Sequence, residues 1–250
     1  MIEKLQELKS KLQGDIKWDK LHQQMYSTDA SVYRKTPLAV AFPKEKNDLI
    51  LLIQFAQTQN TSLILRSAGT SLAGQCVGDG IVVDISKYWN KIISFDEKKK
   101  TVCVEPGVVR DELNEYLQSF GLFFGPNTST SNRCMIGGMV GNNSSGTTSI
   151  KYGVTREKIV QTTCLLSNGS EVIFKALQPE EFELKTKLDS LEGNLYRTVQ
   201  EILSEESTRN EIKNQFPKKE IHRRNTGYAI DLLAQSNLFE PHGKPFDFNQ

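Results

Sequence analysis

Two stretches of this chain combine small residues and hydroxyls in patterns that could do chemistry. At the end of the apolar run SLILR comes RSAGTSLAG, Arg66 to Gly74. Small side chains there let backbone N–H groups approach an anion closely, and the hydroxyls of Ser67, Thr70 and Ser71 can add donors. The composition suits a pyrophosphate cradle; it also suits a strand-to-strand connection that turns tightly. The stretch lacks the Gly-x-Gly-x-x-Gly spacing and following helix of a dinucleotide fold, and the Gly-Lys-Ser/Thr ending of a P-loop.

About sixty residues on, GPNTSTSNRCMIGGMVGNNSSGTTSIKYGVT runs from Gly125 to Thr155 with few apolar residues. A stretch of this kind cannot build a core, and loops so long are uncommon in compact domains unless they are functional or disordered. Ile136, Met139 and Val140 recur at one-turn spacing. They predict a short helix whose Gly137, Gly138 and Gly141 press against something flat, its free N–H groups favouring a phosphate or a polar ring edge. The alternative is a flexible surface loop. Two such loops, each beside strands, would fit two subdomains clasping one extended ligand.

The elements that position these loops can be read from periodicity. Leu5, Leu8 and Leu12 form the stripe of an amphipathic helix ended by Gly14, followed by a mixed polar segment to Thr36; residues 1–35 read as a helical arm packed on the main body, residues 36–250 as the principal domain. LAVAF is a strand, residues 47–59 carry Leu49, Leu52, Ile53 and Ala56 at helical spacing, and SLILR is a strand again, which suggests a right-handed crossover. IVVDI, KIISF and TVCVE follow as strands without intervening helices, giving an α+β class with antiparallel neighbours and mixed sheets flanked by helices. Val109, Leu113, Tyr116 and Leu117 share one helical face that Gly121 closes. Asn168-Gly169 marks a hairpin between residues 159–166 and 171–174. Beyond Pro179 the chain turns helical and charged, and LFEPHGKPFDFNQ at its end reads as an unfinished loop.

Composition excludes several classes. With 250 residues, 38% hydrophobic and 24% charged, the chain suits a soluble globular fold, and a net charge of +1 gives no footprint of a nucleic-acid or anionic-membrane binder. MIEKLQELKSKLQ lacks the apolar core of a secretory signal, and no stretch reaches transmembrane length. Cys76, Cys103, Cys134 and Cys164 stand about thirty residues apart with no CxxC pair, so neither a zinc site nor a disulfide framework is indicated and a reducing, cytoplasmic setting is the default. His22, His222 and His242 lack a second ligand at metal spacing and read as surface or cap residues.

The pair RSAGTSLAGQ and GPNTSTSNRCMIGGMVGNNSSGTTSIKYGVT resembles the two flavin-contacting loops of the FAD-binding, or PCMH-type, fold of the vanillyl-alcohol oxidase family, over about Pro37 to Phe174. The flanks TDASVYRKTPLAVAFP and RRNTGYAIDLL resemble the D-lactate, glycolate and D-2-hydroxyglutarate dehydrogenase branch, notably its long form fused to an iron–sulfur half. The resemblance implies that Arg66, Ser67, Ala68, Gly69, Thr70 and Ser71 hold the FAD pyrophosphate, with Gln75 beside them. Gly137, Gly138, Gly141, Asn142 and Asn143, then Ser144, Ser145 and Gly146, would line the ribityl and ring side; Pro126, Tyr152 and Gly153 complete the set. Some relatives tether the flavin through a His where Thr70 stands, so the FAD here is expected to be non-covalent. Cys134 lies near a second tether point of doubly linked relatives but about one residue out of register, and reads as a packing residue. Arg223, Asn225, Thr226, Gly227 and Tyr228 match a segment that approaches the flavin, although Arg223 and Arg224 would equally serve as a solvated pair and Tyr228 as a half-buried aromatic.

By the same resemblance the reaction is hydride transfer from a D-2-hydroxy acid to FAD, with an iron–sulfur domain or a quinone as electron acceptor, cytoplasmic and peripheral to the inner face of the membrane. The Gly-Ser-Glu-Gly-Thr-Leu strand expected soon after residue 228 is absent, and the family's catalytic His lies in a later substrate domain. The chain therefore reads as the front part of a longer enzyme that binds flavin without turnover on its own and holds no catalytic residue. The rivals are an FAD-dependent enolpyruvyl-sugar reductase using NADPH and a non-catalytic flavin-binding module.

Overall fold

The computed structural model describes residues 1–218, 220–221 and 227–250 of the chain. They form two compact units, Met1–Thr147 and Thr148–Gln250.

The first unit is built on a four-stranded sheet in the order β1-β2-β4-β3: β1 Asp15–Lys17, β2 Ala39–Phe42, β3 Leu63–Arg66 and β4 Ile81–Asp84. In the two central strands, Ala39 to Ala41 and Ile81 to Val83 are fully buried, as apolar runs covered on both faces require. β1 pairs antiparallel with β2, Ile16 opposite Ala41, and was hidden in the segment read as polar arm. Its short DIK sequence carries one apolar residue, too little for a periodicity to show. β4 runs parallel to both β2 and β3, correcting the expected antiparallel neighbours. A parallel neighbour needs a connection long enough to return along the strand, and the loop 67–80 supplies it without a helix. The antiparallel reading holds for the hairpin β5 Ile92–Asp96 and β6 Thr101–Val104.

Around the sheet lie α1 Ile2–Lys11, α2 Lys20–Met25 and α3 Lys46–Gln59. Leu5, Leu8 and Leu12 pack with Ile16, Leu52 and Val83 in one core. Burying a Leu of this kind stabilises by about 1.5–3 kcal/mol, so the arm is part of the fold. Asp48, in the first turn of α3 and fully buried, ties it down: its carboxylate accepts the N–H groups of Gln13 (2.8 Å), Gly14 (2.9 Å) and Lys44 (2.8 Å). A second core joins β5 and β6 to α4 Arg110–Gln118 and α5 Ile136–Gly141 through Leu113, Leu117, Ile136 and Met139. Tyr116 is at the margin of the expected helix face, 38% exposed and stacked edgewise on Phe95.

The second unit contains α6 Ser149–Tyr152, the hairpin β7 Gln161–Leu165 and β8 Glu171–Lys175, then α7 Pro179–Thr186, α8 Leu191–Ser204, α9 Glu206–Gln215 and α10 Ile230–Ala234. Gly169 takes φ +82° at the hairpin turn, as Asn-Gly predicted. The segment read as an unfinished loop is instead built into the core. Phe246 is fully buried against Phe182 and Tyr196, its carbonyl accepts Leu177 N–H at 2.8 Å, and Asn249 Nδ2 donates to Phe174 O at 2.9 Å. Pro241, Gly243 and Pro245 broke the pattern that Phe246 and Phe248 would otherwise have shown.

Candidate functional site

The first glycine loop leaves the C-terminal end of β3 and folds over the Arg66 side chain. Gly69 has φ +68°, a backbone conformation that favours glycine, and the Arg66 guanidinium lies where a Cβ would be, 2.4 Å from Nη2. Arg66 Nη1 donates to Thr28 O at 2.7 Å, and the guanidinium lies over the Tyr26 ring, 5.1 Å from its centroid. Tyr26 in turn donates its hydroxyl to Asp84 Oδ2 at 2.6 Å. Burial, reinforced by that carboxylate, pushes the phenol well above its usual range. Further along the loop, Ser71 Oγ donates to Gln75 Oε1 at 2.8 Å and accepts Ala73 N–H at 3.1 Å.

Among the described residues, none of the backbone N–H groups of Ser67, Ala68, Gly69, Thr70 and Ser71 finds an acceptor, nor do the hydroxyls of Ser67 and Thr70. All five residues are half-buried. Consecutive amides that make no internal bond are donors left available to an anion.

The second loop reaches the first through α5. A Cβ on Gly138 would stand 2.4 Å from Ser67 Oγ, so the helix lies directly on the start of the first loop. Its neighbour Gly137 backs onto Pro106, 2.5 Å from where a Cβ would reach, and donates its N–H to Pro106 O at 2.8 Å. Among the described residues outside its own helix backbone and chain neighbours, nothing lies within 4 Å of a Cβ on Gly141. The end of α5 is held by Asn142 N–H to Gly138 O (3.0 Å), Asn143 N–H to Val140 O (3.1 Å) and Ser144 N–H to Met139 O (2.9 Å), with Asn143 at φ +44°. Gly146 is buried so tightly that a Cβ would overlap Asn127 O at 1.5 Å. Pro126 is buried and its carbonyl accepts Arg110 Nε at 3.1 Å. Arg110 also bonds Asp111 and so holds that carboxyl below its ordinary range.

The structure therefore brings Gly138 of α5 onto Ser67 at the start of the first loop, while Gly137 packs on Pro106 and Gly146 on Asn127. Gln75 is engaged by Ser71, and the Arg66 guanidinium lies behind the loop. Tyr152 and Gly153 belong to the second unit, where Gly153 has φ +79° as the cap of α6 and Glu157 Oε2 occupies the place of a Cβ. Cys134 is buried with its sulfur 3.6 Å from Met139 Sδ and 3.1 Å from Thr128 Oγ1, in keeping with the packing reading. Arg223, Asn225 and Thr226 lie outside the described residues, as does His222. Among those described, no cluster of three or more His, Cys, Asp or Glu could hold a metal, and no helix is long and apolar enough to cross a membrane.

Sequence reasoning missed Tyr26, Asp84, Pro106 and Asn127. The signal for Pro106 was present as Pro-Gly punctuation. The others are spread along the chain and meet only through the fold. Residues 37–175 match the family of the FAD binding domain. The chain belongs to the FAD-binding domain family. FAD is accordingly its cofactor, and the unpartnered amide run with Gly138 seated at its start is compatible with it.

This FAD-binding domain is 37% identical over 217 residues to D-2-hydroxyglutarate dehydrogenase of Escherichia coli (strain K12), covering 86% of this chain and 21% of the relative. Against glycolate oxidase subunit GlcD of Bacillus subtilis (strain 168) it is 33% identical over 147 residues, covering 58% and 31%. The chain thus spans about a fifth to a third of these relatives' lengths. Its fold matches that of p-cresol methylhydroxylase with a TM-score of 0.60 at 17% identity, over 69% of this chain and 35% of that one. The expected α+β, PCMH-type fold is the fold observed.

Proposed function

We propose that this chain is the FAD-binding portion of an oxidoreductase that oxidises a D-2-hydroxy acid of the D-2-hydroxyglutarate type to the corresponding 2-keto acid. The seating of Gly138 on Ser67, the first of five residues whose amides have no internal acceptor, carries the flavin part of this reading. The likeness to D-2-hydroxyglutarate dehydrogenase extends over 86% of the chain, against 58% for the glycolate oxidase subunit, and supports the substrate class. It favours this reading over a reductase drawing on NADPH or a module without activity.

In the proposed arrangement the amides of Ser67 to Ser71, with the Ser67 and Thr70 hydroxyls, hold the pyrophosphate. The small-residue face of Gly137, Gly138 and Gly141, continued by Asn142 to Gly146, lies along the ribityl chain and ring, with Pro126 fixing the preceding turn. Tyr152 and Gly153 belong to the set by family resemblance. When bound, the flavin takes up the hydride that oxidation of the alcohol carbon releases. The chain's part is to hold and orient the cofactor through main-chain donors that need no reorganisation.

Thr70 stands where some relatives carry a tethering histidine, and its hydroxyl is no basis for such a bond, so the FAD is held non-covalently. Residues 1–35 serve as an arm to a domain formed by 36–250. Electrons leave to an iron–sulfur or quinone acceptor outside this chain, at the cytoplasmic face of the membrane; the resemblance to the long, iron–sulfur-fused form supports this. The test is anaerobic titration of the purified full-length protein, followed by flavin absorbance. D-2-Hydroxyglutarate should bleach the flavin and NADPH should not. Bleaching by NADPH alone would overturn the assignment.

A further inference from the structure

A bound FAD brings a doubly charged pyrophosphate to a loop with almost no charge of its own. From Arg66 to Gln75 the one ionised side chain is Arg66. Its guanidinium makes no ion pair among the described residues: its contacts are a neutral carbonyl, an aromatic ring and the backbone of Gly69. The Asp84 carboxylate is engaged elsewhere, accepting the Tyr26 hydroxyl at 2.6 Å and Ser86 N–H at 2.7 Å. A cation with no ion-pair partner among the described residues, held against Gly69 of the loop, is placed to offset the charge of an anionic ligand.

We propose that Tyr26 is a positioning residue for the cofactor, holding Arg66 behind the loop so that its charge acts on the pyrophosphate. The proposal rests on the flavin reading above and extends the site to residues before 37, where the family match begins. Tyr26 is suited to this role because it is itself fixed at two points. It caps the C-terminal end of α2, and its ring meets Phe42 edge-on at 5.8 Å. An arginine free in solution samples many rotamers, and a ring that fixes the planar guanidinium removes that freedom before the ligand arrives. The same arm segment touches the loop elsewhere. Ala30 N–H donates to Gly69 O at 3.1 Å, and the Tyr33 ring packs where a Cβ on Gly74 would lie. The arm thereby forms the outer wall of the loop.

A double-mutant cycle on FAD affinity tests this, using the purified protein stripped of flavin and titrated with FAD by fluorescence quenching. Tyr26→Leu and Arg66→Gln should each raise Kd about tenfold, the size of a partly desolvated cation–π contact. The double variant should bind no more weakly than Arg66→Gln alone, because Tyr26 acts only through the cation. Tyr26→Phe, which keeps the ring and alters the fold least, should retain most of the affinity. Additive losses in the double variant would overturn the proposal, as would wild-type affinity in Tyr26→Leu or an equal loss in Tyr26→Phe. Failure of the unmutated protein to bind FAD would overturn the site reading itself, an outcome distinct from these.

Discussion

Gly138 of α5 faces Ser67 of the first loop so closely that a Cβ added at residue 138 would stand 2.4 Å from the Ser67 hydroxyl oxygen. The contact joins two segments some seventy positions apart in sequence and fixes how closely α5 approaches the start of the first loop. A serine Oγ can swing away by rotating χ1, so a single methyl is tolerable, whereas a branched side chain would fill the space above the loop. Gly138→Ala should weaken FAD binding only a few-fold, and Gly138→Leu about a hundredfold or more. Helix propensity favours either substitution by about 1 kcal/mol, so the thermal melt of the flavin-free protein should stay near wild type. Flavin titration beside the melt checks both halves; FAD retained by Gly138→Leu would remove α5 from the site.

The glycines are not equivalent, which two substitutions expose. A Cβ at Gly146 would lie 1.5 Å from the backbone oxygen of Asn127, and no rotamer relieves a clash with a main chain. Gly146→Ala should cost about 3 kcal/mol as the segment around Pro126 is forced apart. Gly121 has positive φ, +66°, but nothing among the described residues lies within 4 Å of its Cβ position. Gly121→Ala therefore carries only the conformational penalty, about 1 kcal/mol. Urea midpoints of the two variants should be ordered accordingly, and equal midpoints would contradict the packing described for the second loop.

Asp48 joins the arm to the sheet. It is fully buried and accepts backbone N–H groups from both the end of the arm and the entry to α3. Replacing it with Ala leaves those donors without a partner in a dry interior, at about 3 kcal/mol in total. The Gln13 and Gly14 amides should lose protection first. Hydrogen exchange resolved at these two residues reads this directly, and unchanged protection there would show that the carboxylate does not hold the arm.

Much of this was legible in the sequence, for reasons that differ by element. The leucine stripe of α1, the β2–α3–β3 succession and the Asn-Gly hairpin each rest on a local signal, a period or a turn residue, that survives in the fold. The two small-residue loops were visible because a long apolar-poor stretch beside strands has few structural uses. The parallel insertion of β4 was not visible, since nothing local states which neighbour a strand chooses. Nor was the convergence of Tyr26, Asp84 and Arg66, three residues of ordinary type from three elements. The tail around Phe246 was misread because proline and glycine punctuate a segment whose aromatic residues nonetheless pack.

That tail carries an acid with an opposite pH signature from most. Asp247 is only 6% exposed, and burial raises its pKa above the ordinary carboxylate value despite hydrogen bonds from Asn249 N (2.9 Å) and Nδ2 (2.7 Å). A raised folded-state pKa means that the native protein binds this proton more tightly than the unfolded chain. The group's stability contribution is then full below the unfolded pKa and is lost as pH rises through the folded one. Burial raises the pKa values of Tyr196 and Tyr228, and the nearby carboxylate's charge adds to the shift. Asp247→Asn keeps an oxygen to accept from Asn249 and removes the ionisation. Its melting temperature should exceed that of the unmutated protein at neutral pH, and the difference should close on acidification toward about pH 4, the ordinary carboxylate range. A pH-independent difference, or destabilisation by Asn only at neutral pH, would show that the carboxylate is stabilised where it lies.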